Sequence, residues 1–258
     1  MTPMSEVFVS DREYPNYFTM LGNIREKVAE ALPFSQGNIL DVATGSAYFA
    51  AAVAKVRPKV KITAIDIGKL DAAKLVVQKS GVAERVTLMN MDATKMEFAP
   101  NQFDHAVNFL GLEDIHMTRG RKGVEDTFRE VHRVLKPGGT FSFTAMPSDK
   151  AETPAQALEI EVFSYICDAT WLKEAEYLRI AESRGLVVQS RKTFKTGKKL
   201  TLEQAREEIE FAVNNVPQLF GRKTRSFEDV WSAYREKIRL NGMGHYSRVE
   251  LFVTRRPV

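Results

Sequence analysis

Residues 38–47 read Asn-Ile-Leu-Asp-Val-Ala-Thr-Gly-Ser-Ala, a short apolar run that leads into a turn of small side chains. After this turn, Phe49, Val53 and Val56 recur at helical spacing. Gly45 has no Cβ, so the chain can bend tightly there and a ligand can approach the main chain closely. The first amides of a helix have no partner within the helix, so they would face such a ligand. The stretch therefore predicts a strand, a ligand-binding turn and a helix.

Two further apolar runs each end in a single aspartate. Residues 61–65 are followed by Asp66, and residues 85–91 are followed by Asp92. An acid at the carboxyl end of the second strand of a βαβ unit can accept hydrogen bonds from both hydroxyls of a ribose. A carboxylate in the place of Asp92 could accept from the amino group of an adenine. A single aspartate at a strand end often means only that the strand stops in water, but the ordered set that begins with Asp41 predicts a site for an adenosine-bearing cofactor.

These residues resemble the class I methyltransferases that use S-adenosylmethionine. The first motif of that family, acid-x-Gly-x-Gly-x-Gly, corresponds to residues 41–47, where only the middle glycine is kept. Residues 128–139, Phe-Arg-Glu-Val-His-Arg-Val-Leu-Lys-Pro-Gly-Gly, match the family's helix, turn and fifth strand. The resemblance covers residues 22–194 and a final strand near residues 246–256. It implies an α/β fold: a Rossmann-like, seven-stranded, mostly parallel sheet with helices on both faces.

The same resemblance implies S-adenosylmethionine as the cofactor and S-adenosylhomocysteine as its product. Asp66 matches the family's ribose-binding acid, and Asp92 matches the acid at the adenine edge. The predicted cofactor-binding residues are Asp41, Ala43, Gly45, Ala47, Asp66, Ile67, Asp92, Ala93 and Asn108.

The turn before the fifth strand also has a physical account of its own. An apolar stripe at helical spacing precedes it, formed by Val124, Phe128, Val131 and Leu135. Pro137 cannot continue a helix and Gly138 can take a left-handed cap. We therefore expect the helix to stop here and a strand to run from Thr140 to Ala145.

The alternation of strands and helices predicts a parallel sheet and divides the chain into four parts. These are an amino-terminal aromatic and helical segment (1–35), a cofactor-binding core (36–194), a helical insertion (195–245) and a closing strand (246–258). In the insertion, residues 201–204 have the capping-box pattern, and Ser226 begins a second helix that ends near Gly242. We interpret the insertion as a lid over one end of the sheet. A hairpin that covers a sheet edge or makes a dimer contact is the alternative.

In similar enzymes the methyl group points past the end of the fourth strand, here the segment Asn-Phe-Leu-Gly-Leu-Glu-Asp-Ile-His at residues 108–116. This segment lacks the Asn-Pro-Pro-aromatic motif, which lowers the expectation of methylation at a nucleobase amino group. His116 is the candidate general base because of its intrinsic pKa, and Glu113 and Asp114 lie beside it. A surface histidine near acids is the plainer interpretation of the same residues.

The acceptor is less well defined by the sequence. Tyr14 and Tyr17 are candidates for lining an acceptor pocket, although core packing would explain them as well. Basic side chains cluster within residues 191–199 and 222–225 and could attract a carboxylate, a phosphate or a nucleic-acid backbone, but most such runs are solvated surface. A small-molecule acceptor is the leading hypothesis, and an acidic one would suit the basic clusters. The alternatives are an RNA or protein acceptor, a protein that only binds the cofactor, and a nicotinamide-binding oxidoreductase, which the missing Gly-x-Gly-x-x-Gly disfavours.

Composition fits a compact enzyme domain: 258 residues, 44% hydrophobic, 27% charged, with a net charge of +4. Residues 1–10 lack the pattern of a secretory signal, and no apolar run approaches the length of a membrane helix. We therefore expect a cytoplasmic protein without a membrane span, and a homo-oligomer is compatible with the sequence. Cys167 is the only cysteine, and the four histidines lack metal-ligand spacing, so no metal is expected.

Overall fold

The computed structural model describes residues 6–258, with the backbone alone at positions 18, 22, 219 and 220. The elements, in chain order, are β1 (Val7–Phe8), α1 (Tyr14–Met20), a 3-10 turn (Leu21–Asn23), α2 (Ile24–Ala31), β2 (Gln36–Val42), α3 (Tyr48–Val56), β3 (Lys59–Asp66), α4 (Asp71–Lys79), β4 (Val86–Asn90), β5 (Phe103–Phe109), α5 (Gly111–Val134), β6 (Leu135–Ala145), α6 (Pro154–Cys167), α7 (Glu174–Ser183), β7 (Val187–Lys195), β8 (Lys198–Lys199), α8 (Leu202–Phe220), α9 (Phe227–Asn241) and β9 (Arg248–Arg255).

The chain forms two compact units, each assembled from several segments. One unit takes residues up to 24 together with residues 146–174 and 193–249. We call it the helical unit. The other takes residues 25–145, 175–192 and 250–258, and we call it the sheet unit. The residues predicted to bind the cofactor all belong to the sheet unit.

The sheet has seven strands in the order β4-β3-β2-β5-β6-β9-β7. Strands β2 to β6 pair in parallel, whereas β9 runs antiparallel to β6. This confirms the predicted fold class. The chain leaves β2 toward β3 on one side and returns to β5 on the other, so the carboxyl end of β2 is a switch point. Open α/β sheets bind their ligands outside the carboxyl ends of the strands at such a point.

The fifth parallel strand begins earlier than the sequence suggested. Helix α5 ends at Val134, and Leu135 already pairs with Phe103 in the neighbouring strand. The register then shifts before Thr140, and Gly138 within this irregular stretch has φ +78°. Gly138 therefore lies in a bulge inside β6, where its left-handed backbone accommodates the register shift. It does not cap α5, because that helix has already ended at Val134.

Aromatic side chains form the middle of the core of the sheet unit. Phe128 of α5 packs edge-on against Phe141 and Phe143 of β6, with ring centroids 5.3 and 5.1 Å apart. Phe252 of β9 stacks on Phe143 at 5.1 Å. All four side chains are fully buried. Pairs of this kind contribute about 0.5–1.5 kcal/mol each beyond their buried area.

Both predicted helices of the insertion are present in the helical unit. The Thr201 side chain accepts from the Gln204 amide, and the Gln204 side chain accepts from the Thr201 amide, which is the full capping box. The Ser226 side chain caps α9, and Gly242 follows its last residue. A role for residues 195–245 as a lid or a dimer contact stays a prediction.

Candidate functional site

The turn after β2 has an unusual backbone. Ala43, Gly45 and Ala47 all have left-handed φ values, of 53, 55 and 59°. An L-residue other than glycine loses about 1–2 kcal/mol in this region, so two alanines there make a strained turn that its surroundings must hold. A Cβ placed on Gly45 would meet nothing within 4 Å, so the tip of the turn faces open space. This is the conformation expected of a loop that a ligand approaches.

Three hydrogen bonds hold the turn in place. The Thr44 amide donates to the Ile65 carbonyl at the end of β3 (2.9 Å), and the Thr44 hydroxyl donates to Asp41 Oδ2 (2.6 Å). The Gly45 amide donates to Asp66 Oδ2 (2.8 Å). The loop that follows the first strand is therefore fastened to the acid that follows the second.

Asp66 itself is held by its own turn and by a residue that the sequence analysis did not identify. Its Oδ1 accepts from the Gly68 amide at 2.8 Å. The Asn90 side-chain amide donates to the carbonyls of Asp66, Ile67 and Gly68 at 3.2, 3.1 and 2.9 Å. Asn90 lies opposite Asp66 across the β3–β4 pair, a register that only the sheet reveals. The turn carries Ile67 with 62% of its side chain exposed, an apolar surface left in water.

Asp92 follows β4 and is engaged through both oxygens. Oδ1 accepts from the Thr94 amide and the Thr94 hydroxyl, at 2.8 and 2.7 Å. Oδ2 forms an ion pair with Arg119 Nη2 at 2.9 Å. Ala93, beside it, is buried. The arginine belongs to α5, far away in sequence, and was not anticipated.

The side chain of Asn108, in β5, links β5 to the end of β2 by a hydrogen bond. Its buried side-chain amide donates to the Val42 carbonyl at 2.7 Å, and its oxygen accepts from the Gly111 amide at 3.3 Å. A Cβ on Gly111 would lie 2.6 Å from Asn108 Nδ2 and 2.7 Å from Ala43 Cβ. The first residue of α5 therefore packs directly beneath the cofactor loop. In this geometry Asn108 links β5 to the end of β2, and direct contact of Asn108 with a cofactor stays a prediction.

The three catalytic candidates lie on the first turns of α5 but differ in their surroundings. Glu113 is buried and accepts a hydrogen bond from the Tyr177 hydroxyl of α7 at 3.2 Å. Burial, together with the charges of Glu113 and Asp66, raises the pKa of Asp114 to about 8. His116 is half-buried. Of the three, Asp114 faces the acids of the predicted cofactor site.

Asp41 is a second acid with a strongly shifted pKa. Burial raises the pKa of Asp41 to about 7, the hydrogen bond from Thr44 opposes the rise, and the charge of Asp66 adds to it. The charge of Asp66 also raises the pKa of Asp114, so Asp66 lies within electrostatic range of both Asp41 and Asp114. Carboxyls that repel one another in this way favour a cationic ligand, which would stabilise their charged forms.

The two tyrosines proposed for an acceptor pocket belong to the helical unit. The Tyr14 hydroxyl donates to the Gln204 carbonyl at 3.1 Å. Tyr17 is buried, and its hydroxyl is 3.0 Å from Thr196 Oγ1 and 3.2 Å from the His245 carbonyl. Burial raises the pKa of both phenols. These contacts favour the packing interpretation, and an acceptor role for either tyrosine stays a prediction.

Several basic side chains of the two clusters are ion-paired or hydrogen-bonded within the helical unit. The contacts run from Lys195 to Glu152, Lys198 to Glu13, Lys199 to the Asn241 carbonyl, Arg222 to the Cys167 carbonyl and Arg225 to the Tyr165 carbonyl. Cations bonded in this way offer less charge to a phosphate backbone. The geometry therefore weakens the interpretation of these clusters as a docking surface.

Among the described residues, no three histidine, cysteine, aspartate or glutamate side chains are grouped so that they could hold a metal ion. None of the described helices combines the length and the apolar character needed to cross a membrane.

Comparison with known proteins agrees with this geometry. Residues 39–139 match the model of a family described as the methyltransferase domain. A demethylmenaquinone methyltransferase from Bacteroides fragilis is 33% identical over 109 residues, which are 42% of this chain and 42% of that protein. The chain thus aligns with less than half the length of this curated relative.

Solved structures extend the likeness to most of the chain. The [4+2]-cyclase SpnF has a TM-score of 0.61 at 19% identity, covering 92% of this chain and 81% of its own. A geranyl diphosphate methyltransferase, solved with geranyl diphosphate and sinefungin, has a TM-score of 0.57 at 14% identity, covering 90% and 76%. At these identities the likeness establishes the fold.

Proposed function

We propose that the protein is a class I S-adenosylmethionine-dependent methyltransferase that transfers a methyl group to a small-molecule acceptor, because residues 39–139 match the model of the methyltransferase domain. One observation carries the proposal. The strained turn after β2 is hydrogen-bonded to Asp66, and the charge of Asp66 raises the pKa values of both Asp41 and Asp114. A nucleoside that carries positive charge suits this combination of hydroxyl acceptors and repelling acids.

The residues at the ends of the parallel strands fit such a cofactor part by part. Asp66 would accept the ribose hydroxyls, and the exposed side chain of Ile67 would cover one face of the adenine. Asp92 would accept from the adenine amino group. The open tip of the turn at Gly45 leaves room for close approach to the backbone. When bound, the cofactor supplies a methyl group on a sulfonium, which is electrophilic without further activation.

The protein's own part is then chiefly positional. Holding two reactants in line can lower a barrier by about 7–11 kcal/mol, so no side chain has to attack the methyl group. A base is needed only if the acceptor must lose a proton. Asp114 suits that task better than Glu113, which is bonded to Tyr177, because the pKa of Asp114, about 8, lies close to neutral pH.

Two observations support a small acceptor. Lys195, Lys198 and Arg225 of the basic clusters are already ion-paired within the helical unit, which leaves less charge for RNA. The Bacteroides fragilis relative and the geranyl diphosphate methyltransferase are both named for small molecules. SpnF is a [4+2]-cyclase with the same fold, so the fold is not restricted to methyltransferases. A protein that binds the cofactor without transferring its methyl group is therefore the second candidate.

Titration calorimetry with S-adenosylhomocysteine and with NAD tests the cofactor. We expect S-adenosylhomocysteine to bind in the micromolar range and NAD to give no signal, because residues 43–48 lack the first and third glycines of the Gly-x-Gly-x-x-Gly dinucleotide loop. Binding of NAD alone would overturn the proposal. RNA added at low salt serves as a further arm, since phosphate contacts are strongest there and should be absent.

The affinity for S-adenosylmethionine should rise with pH between pH 5.5 and 7.5. The pKa values of Asp41 and Asp114, about 7 and about 8, mean that acid neutralises both carboxyls, and a cationic ligand must release these protons to be held by charge. We expect a gain of about 10-fold across this range, smaller for S-adenosylhomocysteine, which lacks the sulfonium charge. Asp114→Asn should flatten the profile. Equal slopes for this variant and the parent would contradict the assignment.

A further inference from the structure

An arginine occupies the adenine end of the proposed cofactor site. Arg119 Nη2 lies 2.9 Å from Asp92 Oδ2, while Asp92 Oδ1 is taken by the two Thr94 donors. Oδ2 is therefore the oxygen left to accept from an adenine amino group, and the guanidinium already holds it. About half of the Arg119 side chain is exposed, so the guanidinium stands at the surface of the site.

The chain around Arg119 is built to place it there. Helix α5 breaks at the next residue, Gly120, whose φ of 66° and ψ of −172° belong to a region that essentially only glycine adopts. A Cβ on Gly123 would lie 2.2 Å from Arg119 Cβ, so a larger residue at 123 would displace the arginine. Arg121, after the break, pairs instead with Glu125 and Glu176. The two glycines thus allow neighbouring arginines to take different partners.

We propose that Arg119 sets how strongly the site distinguishes a 6-amino purine from a 6-oxo purine. The inference rests on the proposed function, because it takes Asp92 as the residue at the adenine edge. A carboxylate accepts from a 6-amino group but repels a 6-oxo group, whereas a guanidinium donates to a 6-oxo group. The Asp92–Arg119 pair offers both chemistries at one edge of the base.

The Asp92–Arg119 pair therefore lets the site accept either a 6-amino or a 6-oxo purine. With Arg119 present, the amino group of an adenine competes with the guanidinium for Asp92 Oδ2. The hydrogen bond from the adenine to Asp92 therefore contributes less to the binding of the ligand. A 6-oxo purine finds a donor in the same place. Without Arg119, Asp92 Oδ2 is left to the base alone, so the amino group of an adenine gains a full charged hydrogen bond. The 6-oxo oxygen of a hypoxanthine then loses the guanidinium donor and is repelled by the carboxylate.

The test compares S-adenosylhomocysteine with S-inosylhomocysteine by calorimetry on the full chain. The two ligands differ at C6 of the base, and N1 carries a hydrogen only in the inosyl ligand. In the parent we expect the adenosyl ligand to bind less than about 10-fold more tightly than the inosyl ligand. Arg119→Met should widen this ratio by about 10-fold. Arg119→Lys, which keeps the charge but not the planar fork, should fall between the two.

Arg121→Met is the matched control, because it removes a neighbouring arginine that does not pair with Asp92. Its ratio should equal that of the parent. An Arg119→Met ratio equal to that of Arg121→Met would overturn the inference while leaving the cofactor assignment intact. If the parent binds neither ligand, the proposed function fails and the inference fails with it. The change of this ratio between variants is insensitive to a general loss of stability, since both ligands share the ribose and homocysteine moieties and their difference at N1 is the same in every variant.

Discussion

Asp66→Asn should weaken the binding of S-adenosylhomocysteine by about 10- to 100-fold, the range that follows from a charged hydrogen bond worth about 1.5–3 kcal/mol. Both Asp66 oxygens accept backbone amides, from Gly45 and from Gly68. An asparagine has one acceptor oxygen, so its amino group would face one of these donors. The substitution therefore removes a ribose acceptor and loosens the turn after β2 together. Calorimetry measures the loss directly.

Asp71→Asn is the control for this prediction. Asp71 begins α4 shortly after Asp66, and its substitution by asparagine removes the same charge. However, 82% of the Asp71 side chain is exposed and its ion pair with Lys74 is long, at 3.8 Å. The affinity of Asp71→Asn for S-adenosylhomocysteine should equal that of the parent. Hydrogen exchange at the Gly45 amide separates the two roles of Asp66, because exchange should quicken in Asp66→Asn without any ligand. Unchanged affinity in Asp66→Asn would remove Asp66 from the cofactor site.

The second large effect concerns the stability of the helical unit, where a buried acid ties α6 to the segment before β9. Glu159 accepts from the Tyr246 amide and from the Ser247 hydroxyl. His245 faces it from the same segment, and Glu208 of α8 faces His245, with 3.3 Å between Oε2 and Nδ1. Burial raises the pKa of Glu159 to about 7. The charge of His245 and the backbone amides of Tyr246 and Ser247 oppose this rise, and the charge of Glu208 adds to it.

The direction of the pH dependence follows from this shift. A carboxyl whose pKa is higher in the folded state binds its proton more tightly there, so folding is favoured at low pH. The free energy of unfolding of the helical unit should fall as pH rises from about 4.5 to about 7 and then level off. An upper bound on the loss is about 3 kcal/mol, at 1.36 kcal/mol for each pKa unit.

Glu159→Gln, which mimics the protonated acid, should flatten this dependence. Urea denaturation followed by tryptophan fluorescence suits the measurement, because both tryptophans, Trp171 and Trp231, belong to the helical unit. Glu161→Gln, at a position that is half exposed on the same helix, should retain the slope of the parent. A parent whose stability is constant or rising across this range would show that Glu159 does not titrate as expected.

Sequence alone predicted the elements that short-range physics controls. The apolar runs and the acids that follow them fixed the parallel strands, since strand period and chain breaks are local properties. The Thr201 capping box and the Ser226 cap were predicted for the same reason, because a cap is decided within one helical turn. The start of β6 was placed too late, since the pairing of Leu135 with Phe103 depends on the neighbouring strand.

Partners across the sheet could not be predicted in this way. Asn90 holds the Asp66 turn only because β3 and β4 meet in one particular register, and Arg119 reaches Asp92 only because α5 breaks at Gly120. Local sequence carries no record of either contact. The basic run near residue 195 likewise read as free charge until folding supplied its acidic partners.

The sequence by itself determined the fold class and the order of the three acids, because strand periodicity and small-residue turns are written in adjacent residues. Only the tertiary structure decided which atoms those acids meet. Asp41 became a buried acid with a raised pKa, Asp66 a fastening for the turn, and Asp92 one half of an ion pair. The physical reason is that burial and pairing depend on residues that are distant along the chain and adjacent only after folding.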